Sequence, residues 1–274
     1  MKKIKTAVIG SGFMGAAHIE ALNRIGGVEV TTLVSKEIDQ ANKLADRYSI
    51  PKVLENWEDV FNDSGVQIIH NCTPNFLHFE INKAAVENNK HIISEKPLTI
   101  NSVQSSELLS LLKKHNVVNA VNFNYRFYPL IQHAHSMLKD EVGEVYLVHG
   151  HYLQDWLYYD TDYNWRLESK ISGSSRAVAD IGSHWCDLIQ FVTGLKIVQV
   201  FADLSTIHPV RKKPKQQVET FKGKEISTSF ETEDIKINTE DAGSVLFRLE
   251  NGAQGVFTVS QVSAGRKNHF WFEI

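Results

Sequence analysis

The chain has 274 residues, of which 42% are hydrophobic and 22% charged, with a formal net charge of −3. This length is enough for two domains of ordinary size, and the near-neutral charge favours neither a nucleic acid nor an anionic membrane as partner. No apolar run approaches the roughly 18 residues of a membrane span, and the apolar stretch after the basic N-terminus is too short for a signal peptide. The two cysteines, Cys72 and Cys186, indicate free thiols in a reducing compartment. We therefore expect a soluble, cytoplasmic protein.

Short β-branched runs alternate with helical patterns over residues 1–125. This alternation is typical of βαβ units and predicts an α/β fold with a doubly wound parallel sheet. The predicted strands are Ile4–Ile9, Val28–Val34, Val66–Asn71, His91–Ser94 and Val117–Phe123, and the predicted helices are Met14–Arg24, Asp39–Tyr48, Phe76–Asn88 and Ser102–His115.

The pattern changes in residues 126–274, where strands dominate and Asn251-Gly252 is a strong signal for a tight turn. We predict a C-terminal α+β domain with a large, mostly antiparallel open sheet. The basic cluster Arg211–Lys215 is interpreted as a solvated loop. The predicted elements are a helix from Pro129 to about Lys139 and strands at Val145–Tyr152, Ile197–Asp203, Ala242–Leu249, Ala253–Ser260 and Phe270–Ile274.

A glycine-rich segment follows the first predicted strand and opens the first predicted helix. Its sequence is Gly10-Ser11-Gly12-Phe13-Met14-Gly15. The first glycine permits a tight turn, the second lets the backbone approach a pyrophosphate, and the third allows close packing of helix on strand. In this context the motif predicts a dinucleotide-binding loop.

The end of the second strand discriminates between the two nicotinamide cofactors. An acidic residue there would accept a hydrogen bond from the ribose 2′-hydroxyl of NAD(H), but this strand ends in Ser35-Lys36. A hydroxyl beside a cation suits a 2′-phosphate, so the sequence favours NADP(H) slightly over NAD(H), although Glu37 or Asp39 leaves NAD(H) open. Thr73-Pro74, at the end of another strand, are further candidate cofactor contacts or simply a turn before a helix.

Lys96 follows the predicted strand His91–Ser94 in the tripeptide Glu95-Lys96-Pro97. Ligands of open α/β sheets bind at the carboxyl ends of the strands. A lysine at this edge, followed by a rigid proline, is therefore predicted to be a positioned cation or acid–base group.

Asp180 and His184 are spaced four residues apart, which places them on one face of a helix. An aspartate there can orient the imidazole and raise its basicity, as a general base requires. The alternative is an N-cap aspartate beside a structural histidine. A metal site using His149 and His151 lacks a clear third ligand, so no metal is predicted. Together with Lys96, the pair would suit hydride transfer at a carbinol carbon, with base and cation acting on the hydroxyl.

Two segments rich in aromatic and hydrogen-bonding side chains, around Gln154–Trp156 and Asp162–Arg166, suit the recognition of a sugar or polyol. They equally suit a loop anchored to the core by its tryptophans. Candidate substrate contacts of lower rank are Tyr125, Arg126, Trp165, Arg166 and Arg176.

These motifs together resemble the glucose-fructose oxidoreductase/inositol dehydrogenase family (Gfo/Idh/MocA). The resemblance is carried, in the family's order, by Gly10–Gly15, Thr73-Pro74 with His78, Glu95-Lys96-Pro97, Asn124-Tyr125-Arg126 and Asp180–His184. It implies a Rossmann domain in residues 1–125 and a substrate and oligomerisation domain in residues 126–274.

The resemblance also implies specific residues and partners. Lys96, Asp180 and His184 would be catalytic and would contact substrate, while His78, Glu95 and Lys96 itself join the cofactor-binding set. The substrate would be a sugar or cyclitol, and the open sheet would form a dimer or tetramer. Because family members usually extend further, Phe270–Ile274 is expected to be an edge strand of an incomplete domain.

Three functions fit these features. The first is a nicotinamide-dependent dehydrogenase or reductase acting on a sugar-like alcohol or ketone. The second is a redox-assisted glycosidase or epimerase with tightly bound cofactor. The third is a non-catalytic nucleotide- or sugar-sensing regulator, although such a regulator has no need for Lys96, Asp180 and His184 together.

Overall fold

The computed structural model describes residues 3–215 and 231–274. These residues form two compact units, the first ending at Asn122 and the second beginning at Phe123. Among the described helices, none combines the length and the apolar composition needed to cross a bilayer.

The first unit contains a six-stranded parallel sheet in the order β3-β2-β1-β4-β5-β6. Its order and parallel pairing are those of the dinucleotide-binding α/β fold. The strands are β1 (Ile4–Ile9), β2 (Val28–Val34), β3 (Lys52–Leu54), β4 (Ile68–Asn71), β5 (His91–Ser94) and β6 (Asn119–Val121).

Helices cover both faces of this sheet, so successive residues of a strand are buried against different clusters. In β1, Ala7 and Ile9 belong to one hydrophobic cluster, whereas Val8 belongs to the other. Burial on both faces explains the uninterrupted apolar run Ala7-Val8-Ile9 in the carboxyl half of β1. The helices are α1 (Phe13–Arg24), α2 (Ile38–Tyr48), α3 (Asn75–Glu87) and α4 (Ser102–Leu112).

The predicted elements of this unit are all present, with ends shifted by up to three residues. Two elements were not predicted: the short strand β3 and a 3-10 turn at Trp57–Asn62. Both are short, and the three residues of β3 give too little periodicity to be recognised in the sequence.

The second unit contains a five-stranded sheet in the order β13-β7-β12-β11-β8. Only β7 and β12 pair in parallel among these strands, so the sheet is mixed and mostly antiparallel, as predicted. The strands are β7 (Leu147–Leu153), β8 (Ile197–Ser205), β11 (Ala242–Leu249), β12 (Gln254–Ser260) and β13 (His269–Glu273), and β13 is an edge strand.

One face of this sheet carries the core of the unit and the other is open. Trp185 of α7 is fully buried and its ring stacks on Phe257 of β12, with ring centroids 4.5 Å apart. On the opposite face, Phe201, Leu246 and Val256 occupy neighbouring register positions and are exposed. The helices of this unit are α5 (Pro129–Asp140), α6 (Ser169–Ser172) and α7 (Ser183–Thr193).

The interpretation of the basic cluster as a solvated loop is wrong. Residues Val210–Pro214 form strand β9, which pairs antiparallel with β10 (Thr232–Lys236). Arg211 is fully buried and forms an ion pair with Asp241. Local sequence could not reveal this pairing, because the partner carboxylate is 30 residues away along the chain.

Candidate active site

The turn between β1 and α1 requires glycine at two positions for reasons internal to the fold. Gly10 has a φ of +110°, and a Cβ there would lie 2.5 Å from the carbonyl oxygen of Cys72. A Cβ on Gly15 would lie 1.9 Å from the carbonyl oxygen of Gly10. Glycine at these positions therefore allows the tight turn and the close packing of α1.

Gly12 differs, because a Cβ built there meets no protein atom within 4 Å. It is the N-cap of α1 and gives no side-chain hydrogen bond to the first turn, which begins at Phe13. A helix N-terminus with open backbone in front of it is suited to an anionic group. The residues of this loop, including the exposed Phe13 and the partly buried Met14, thus fit the pyrophosphate of a dinucleotide.

The end of β2 lies beside this loop. The hydroxyl oxygens of Ser11 and Ser35 are 2.7 Å apart, and Ser35 Oγ also accepts a hydrogen bond from the backbone N–H of Glu37 at 3.1 Å. The ammonium of Lys36 is exposed and donates to Asn56 Oδ1 at 2.7 Å. A hydroxyl and a cation therefore occupy the position where a ribose 2′-substituent is recognised.

His78 is a support for two loops of the first unit. Its side chain is fully buried, and its ring nitrogens lie 2.8 Å from the carbonyl oxygen of Thr73 and 2.6 Å from that of Pro97. Burial lowers its pKa despite these two carbonyls. The expectation that His78 contacts the cofactor is therefore corrected, since a fully enclosed ring cannot reach a ligand.

Thr73 and Pro74 remain candidates at the end of β4. The Thr73 hydroxyl donates to Asn71 Oδ1 at 2.7 Å, and Asn71 in turn donates to Asn82 Oδ1 at 2.8 Å. Pro74 is the N-cap residue of α3. These buried amides hold the loop in one conformation at the same sheet edge as Gly10–Gly15.

Lys96 lies just beyond β5, at the carboxyl edge of the parallel sheet, and is partly buried. The preceding Glu95 points into the protein, where its Oε1 lies 2.9 Å from His18 Nε2 and accepts from Asn122 Nδ2 at 2.6 Å. Burial alone raises the pKa of Glu95, but the bonds from His18 and Asn122 outweigh it and lower the pKa. Glu95 is therefore an ionised residue that supports the loop of Lys96, and its contact with the cofactor stays a prediction.

A buried histidine pair that the sequence did not predict lies beneath this loop. His18 Nδ1 lies 2.9 Å from His70 Nδ1, and both rings are buried. Burial, with the neighbouring His18, lowers the pKa of His70 to about 3, so His70 is neutral. The available signal was a histidine next to isoleucine in each element, His18 before Ile19 in α1 and His70 after Ile69 in β4.

Asp180 lies on a π-helical turn, Val178–Gly182, that continues directly into α7. Such turns occur frequently at functional sites because they displace side chains from regular helical positions. One carboxylate oxygen, Oδ1, is 3.3 Å from Arg166 Nε, and the other accepts from Gln261 Nε2 at 2.8 Å.

His184, in the first turn of α7, is 9% exposed. Its ring centroid is 4.8 Å from that of Tyr125 and 5.7 Å from that of Phe123. The sequence predicted that Asp180 orients this imidazole. In the structure, aromatic rings pack against the imidazole, and the Asp180 carboxylate meets Arg166 and Gln261. The orientation of His184 by Asp180 stays a prediction.

The residues predicted to contact the substrate have different partners within the protein. The Arg166 guanidinium lies 4.3 Å from the Trp165 ring centroid, and Tyr125 shares a short hydrogen bond of 2.6 Å with Tyr152. Arg126 binds the Asp187 carboxylate through both Nε and Nη2.

Arg126 and Arg176 also bind other residues of the second unit. The bidentate ion pair with Asp187 ties Arg126, in the 3-10 turn Asn124–Phe127, to α7. Because its side chain is 41% exposed, its contact with the substrate stays a prediction. Arg176 is 1% exposed, which corrects its assignment as a substrate contact. Within residues 3–215 and 231–274, no three His, Cys, Asp or Glu side chains are grouped as metal ligands.

Two domains of one family of known proteins match the chain over nearly its full length. Residues 4–123 match the GFO/IDH/MocA oxidoreductase family with an NAD-binding Rossmann fold. Residues 131–274 match the GFO/IDH/MocA C-terminal domain.

Individual relatives agree with this assignment. Levoglucosan dehydrogenase of Pseudarthrobacter phenanthrenivorans is 32% identical over 100% of this chain and 72% of its own length. A solved oxidoreductase domain protein from Kribbella flavida has a TM-score of 0.89 at 29% identity, covering 99% of this chain and 71% of that one. A levoglucosan dehydrogenase solved with NADH and L-sorbose has a TM-score of 0.87 at 29% identity, covering 100% of this chain and 70% of that one.

These matches confirm the predicted fold class and a nicotinamide-dependent oxidoreductase. The parallel sheet of the first unit agrees with the Rossmann fold of the matched family, and the second unit coincides with its C-terminal domain. The chain belongs to the Gfo/Idh/MocA family of oxidoreductases.

Proposed function

We propose that this protein is a dehydrogenase or reductase that transfers hydride between a nicotinamide cofactor and a hydroxyl-bearing carbon of a sugar or cyclitol. The observation that carries this proposal is the 32% identity to levoglucosan dehydrogenase along the whole chain. The relative solved with NADH and L-sorbose supports the same substrate class.

In this proposal residues 1–125 hold the cofactor and residues 126–274 recognise the substrate. Gly10, Gly12 and Gly15 with the N-terminus of α1 would hold the pyrophosphate, since backbone amides and a helix dipole attract anions. Thr73 and Pro74 would line the nicotinamide side. When bound, the nicotinamide accepts or donates the hydride.

Lys96, His184 and Asp180 are proposed to act on the reacting hydroxyl. In the oxidation direction His184, as general base, would take the O–H proton, while a bound nicotinamide would supply the acceptor for the hydride of the same carbon. The ammonium of Lys96 polarises the oxygen, while Asp180 accepts a hydrogen bond as a carboxylate. Tyr125, Trp165 and Arg166 are proposed to face the sugar with two aromatic rings and a fork of donors.

Ser35 and Lys36 support NADP(H) in preference to NAD(H). Their hydroxyl and ammonium suit a 2′-phosphate better than a 2′-hydroxyl, for which a carboxylate acceptor is usual. The solved relative holds NADH, so the preference must be measured for this chain.

We further propose that the protein is a homo-oligomer through the open sheet face. Phe201 is 71% exposed and Leu246 54% exposed on this face, and a monomer gains nothing from leaving adjacent large apolar side chains in water.

The test is a spectrophotometric screen at ~340 nm, the absorption of the reduced nicotinamide, with sugars and inositols and with either NAD or NADP. Levoglucosan is the first substrate. We expect turnover by the wild type and a loss of at least about 100-fold in kcat for Lys96→Ala. The matched control is Lys83→Ala, because Lys83 forms an exposed ion pair with Glu107 in the same unit.

Unchanged turnover in Lys96→Ala would refute the role of Lys96. Tight cofactor binding without net turnover of any substrate would instead favour a redox-assisted glycosidase or a sensor.

A further inference from the structure

A chain of buried polar side chains joins Asp180 to the end of β12. We propose that Gln261, held by Arg176, is a positioning residue that keeps the Asp180 carboxylate ionised and aimed as a hydrogen-bond acceptor. This inference rests on the proposed function, in which Asp180 acts on the substrate.

The hydrogen bonds connect Arg176, Gln261 and Asp180 in that order, each residue donating to the next. Gln261 immediately follows β12 and is fully buried. Its Nε2 donates to Asp180 Oδ2 at 2.8 Å, and its Oε1 accepts from Arg176 Nη1 at 3.1 Å. Because Gln261 is enclosed, it acts through Asp180 and does not itself touch a substrate.

The chemistry of arginine determines which end of the amide faces Asp180. A guanidinium has only donors, so the carbonyl oxygen of Gln261 must face Arg176 and its NH₂ group must face Asp180. Asp180 Oδ2 must then accept. Since Oδ1 faces Arg166 Nε at 3.3 Å, both carboxylate oxygens meet donors. A proton on this carboxyl group would displace one of these bonds.

Arg176 and Asp241, at the end of this network distant from Asp180, keep the orientation of the Gln261 amide independent of pH. Arg176 Nε donates to Thr239 Oγ1 at 3.2 Å and its Nη2 binds Asp241 Oδ1. Arg211 Nη2 donates to the same Asp241 oxygen at 2.7 Å. Burial raises the pKa of Asp241, but the charge of Arg176 and several hydrogen bonds outweigh it and lower the pKa below 3.8.

The guanidinium groups of Arg176 and Arg211 therefore share the ionised Asp241 carboxylate behind Gln261. A second carboxylate, that of Glu240, accepts from the backbone N–H of Arg176 at 2.9 Å.

Arg166, from the 3-10 turn Trp165–Leu167, and Tyr152, from β7, also face Asp180 within this unit. His184 follows on the same helix.

The decisive variant is Gln261→Glu. It keeps an oxygen for Arg176 but places a second carboxylate oxygen where an N–H group faced Asp180. Two carboxylates at this distance compete for one proton. We expect the acidic limb of the kcat/KM profile to move to higher pH by about one unit or more, with activity recovered at alkaline pH.

Gln261→Leu removes the donor without adding charge. We expect kcat with levoglucosan to fall about tenfold, the rate equivalent of one hydrogen bond to a charged group. The Kd for NADH, measured by fluorescence, should stay within about twofold, because the glycine loop is unchanged. A merely structural role would lower the amount of folded protein without moving the pH profile.

Gln190→Glu is the matched control. Gln190 also bridges two groups of the same unit, accepting from the N–H of Ile197 at 3.0 Å and donating to the carbonyl of Cys186 at 3.3 Å. Its variant should keep the wild-type pH profile. Circular dichroism and thermal unfolding establish that all variants are folded. If Gln261→Glu is not folded, Gln261→Asn replaces it, and we expect a reduced kcat for that variant.

Asp180→Asn separates the two proposals. Suppose that Asp180→Asn is inactive. The positioning role of Gln261 is then overturned by a wild-type pH profile of kcat/KM in folded Gln261→Glu. Where Gln261→Asn replaces that variant, an unreduced kcat overturns it. Full activity of Asp180→Asn would refute the proposed function of Asp180 and with it this inference.

Discussion

Gly12 and Gly15 belong to the same motif but are glycines for different reasons. Gly12 has a φ of −71°, which any residue can adopt, and its Cβ direction is open. Gly15 is closed by the carbonyl of Gly10. The motif alone does not separate these two roles, whereas the distances around each Cα do.

This difference predicts opposite phenotypes for the two alanine variants. The unfolding free energy of Gly12→Ala should lie within about 0.5 kcal/mol of the wild-type value. Its affinity for the cofactor should fall by roughly tenfold or more, since the added methyl group would meet the pyrophosphate. Gly15→Ala should lose about 1–3 kcal/mol of unfolding free energy by overpacking.

Urea unfolding and fluorescence titration with NADH and NADPH measure both effects. Equal cofactor affinity for Gly12→Ala and the wild type would contradict the assignment of this loop to the pyrophosphate.

At the scale of elements, the helix that carries Asp180 is capped by a residue from a distant segment. Glu240, which is 6% exposed, accepts through Oε1 from the Ser175 hydroxyl and from the N–H groups of Arg176 and Val178. A carboxylate at a helix N-terminus also complements the helix dipole. Glu240 thus anchors the start of the π turn against the approach to β11.

Replacing this cap should loosen the helix measurably. Glu240→Ala leaves three donors without their carboxylate, and we expect a loss of about 1–3 kcal/mol in unfolding free energy. Glu240→Gln retains an acceptor oxygen and should lose less.

The control is Glu250→Ala, because Glu250 is exposed and its carboxylate accepts a single weak hydrogen bond from the N–H of Lys196 at 3.3 Å. If Glu240→Ala were as stable as Glu250→Ala, the capping interpretation would be wrong.

At the scale of the whole molecule, the open face of the five-stranded sheet is the surface proposed to bind a second copy of the protein. Phe201, Leu246 and Val256 lie in one row across β8, β11 and β12. Solvent exposure of such a row is unfavourable by roughly 25 cal/mol per Å² of apolar surface, which association would recover.

Leu246→Lys places a charge in the middle of this row. If the face mediates assembly, sedimentation velocity should show a smaller species than the wild type, with unchanged far-UV circular dichroism. Leu109→Lys is the matched control, since Leu109 is 57% exposed on α4 of the other unit. An unchanged sedimentation coefficient for Leu246→Lys would exclude this face as the interface.

Several parts of the site could be predicted because they depend on short-range patterns. The glycine loop, Lys96 at a strand end and the spacing of Asp180 and His184 each occupy fewer than seven consecutive residues. Their placement follows from periodicity and from the rule that ligands bind at the carboxyl edge of a parallel sheet.

The side chains that support these residues could not be predicted in the same way. His18 and Glu95 are 77 residues apart, and Gln261 and Asp180 are 81 apart. Nothing in the local pattern of one partner specifies the other. Arg176 was misassigned for this reason, since an arginine looks the same in sequence whether it meets a substrate or a buried carboxylate.

By itself, the sequence determined the fold class, the cofactor loop and the family, because backbone propensity, hydrophobic period and glycine geometry are local properties. Only the tertiary structure decided which polar side chains are enclosed and what they pair with. The desolvation of a charged group must be compensated by partners that the fold brings together. Arg211, expected in solvent and found buried on Asp241, shows this most clearly.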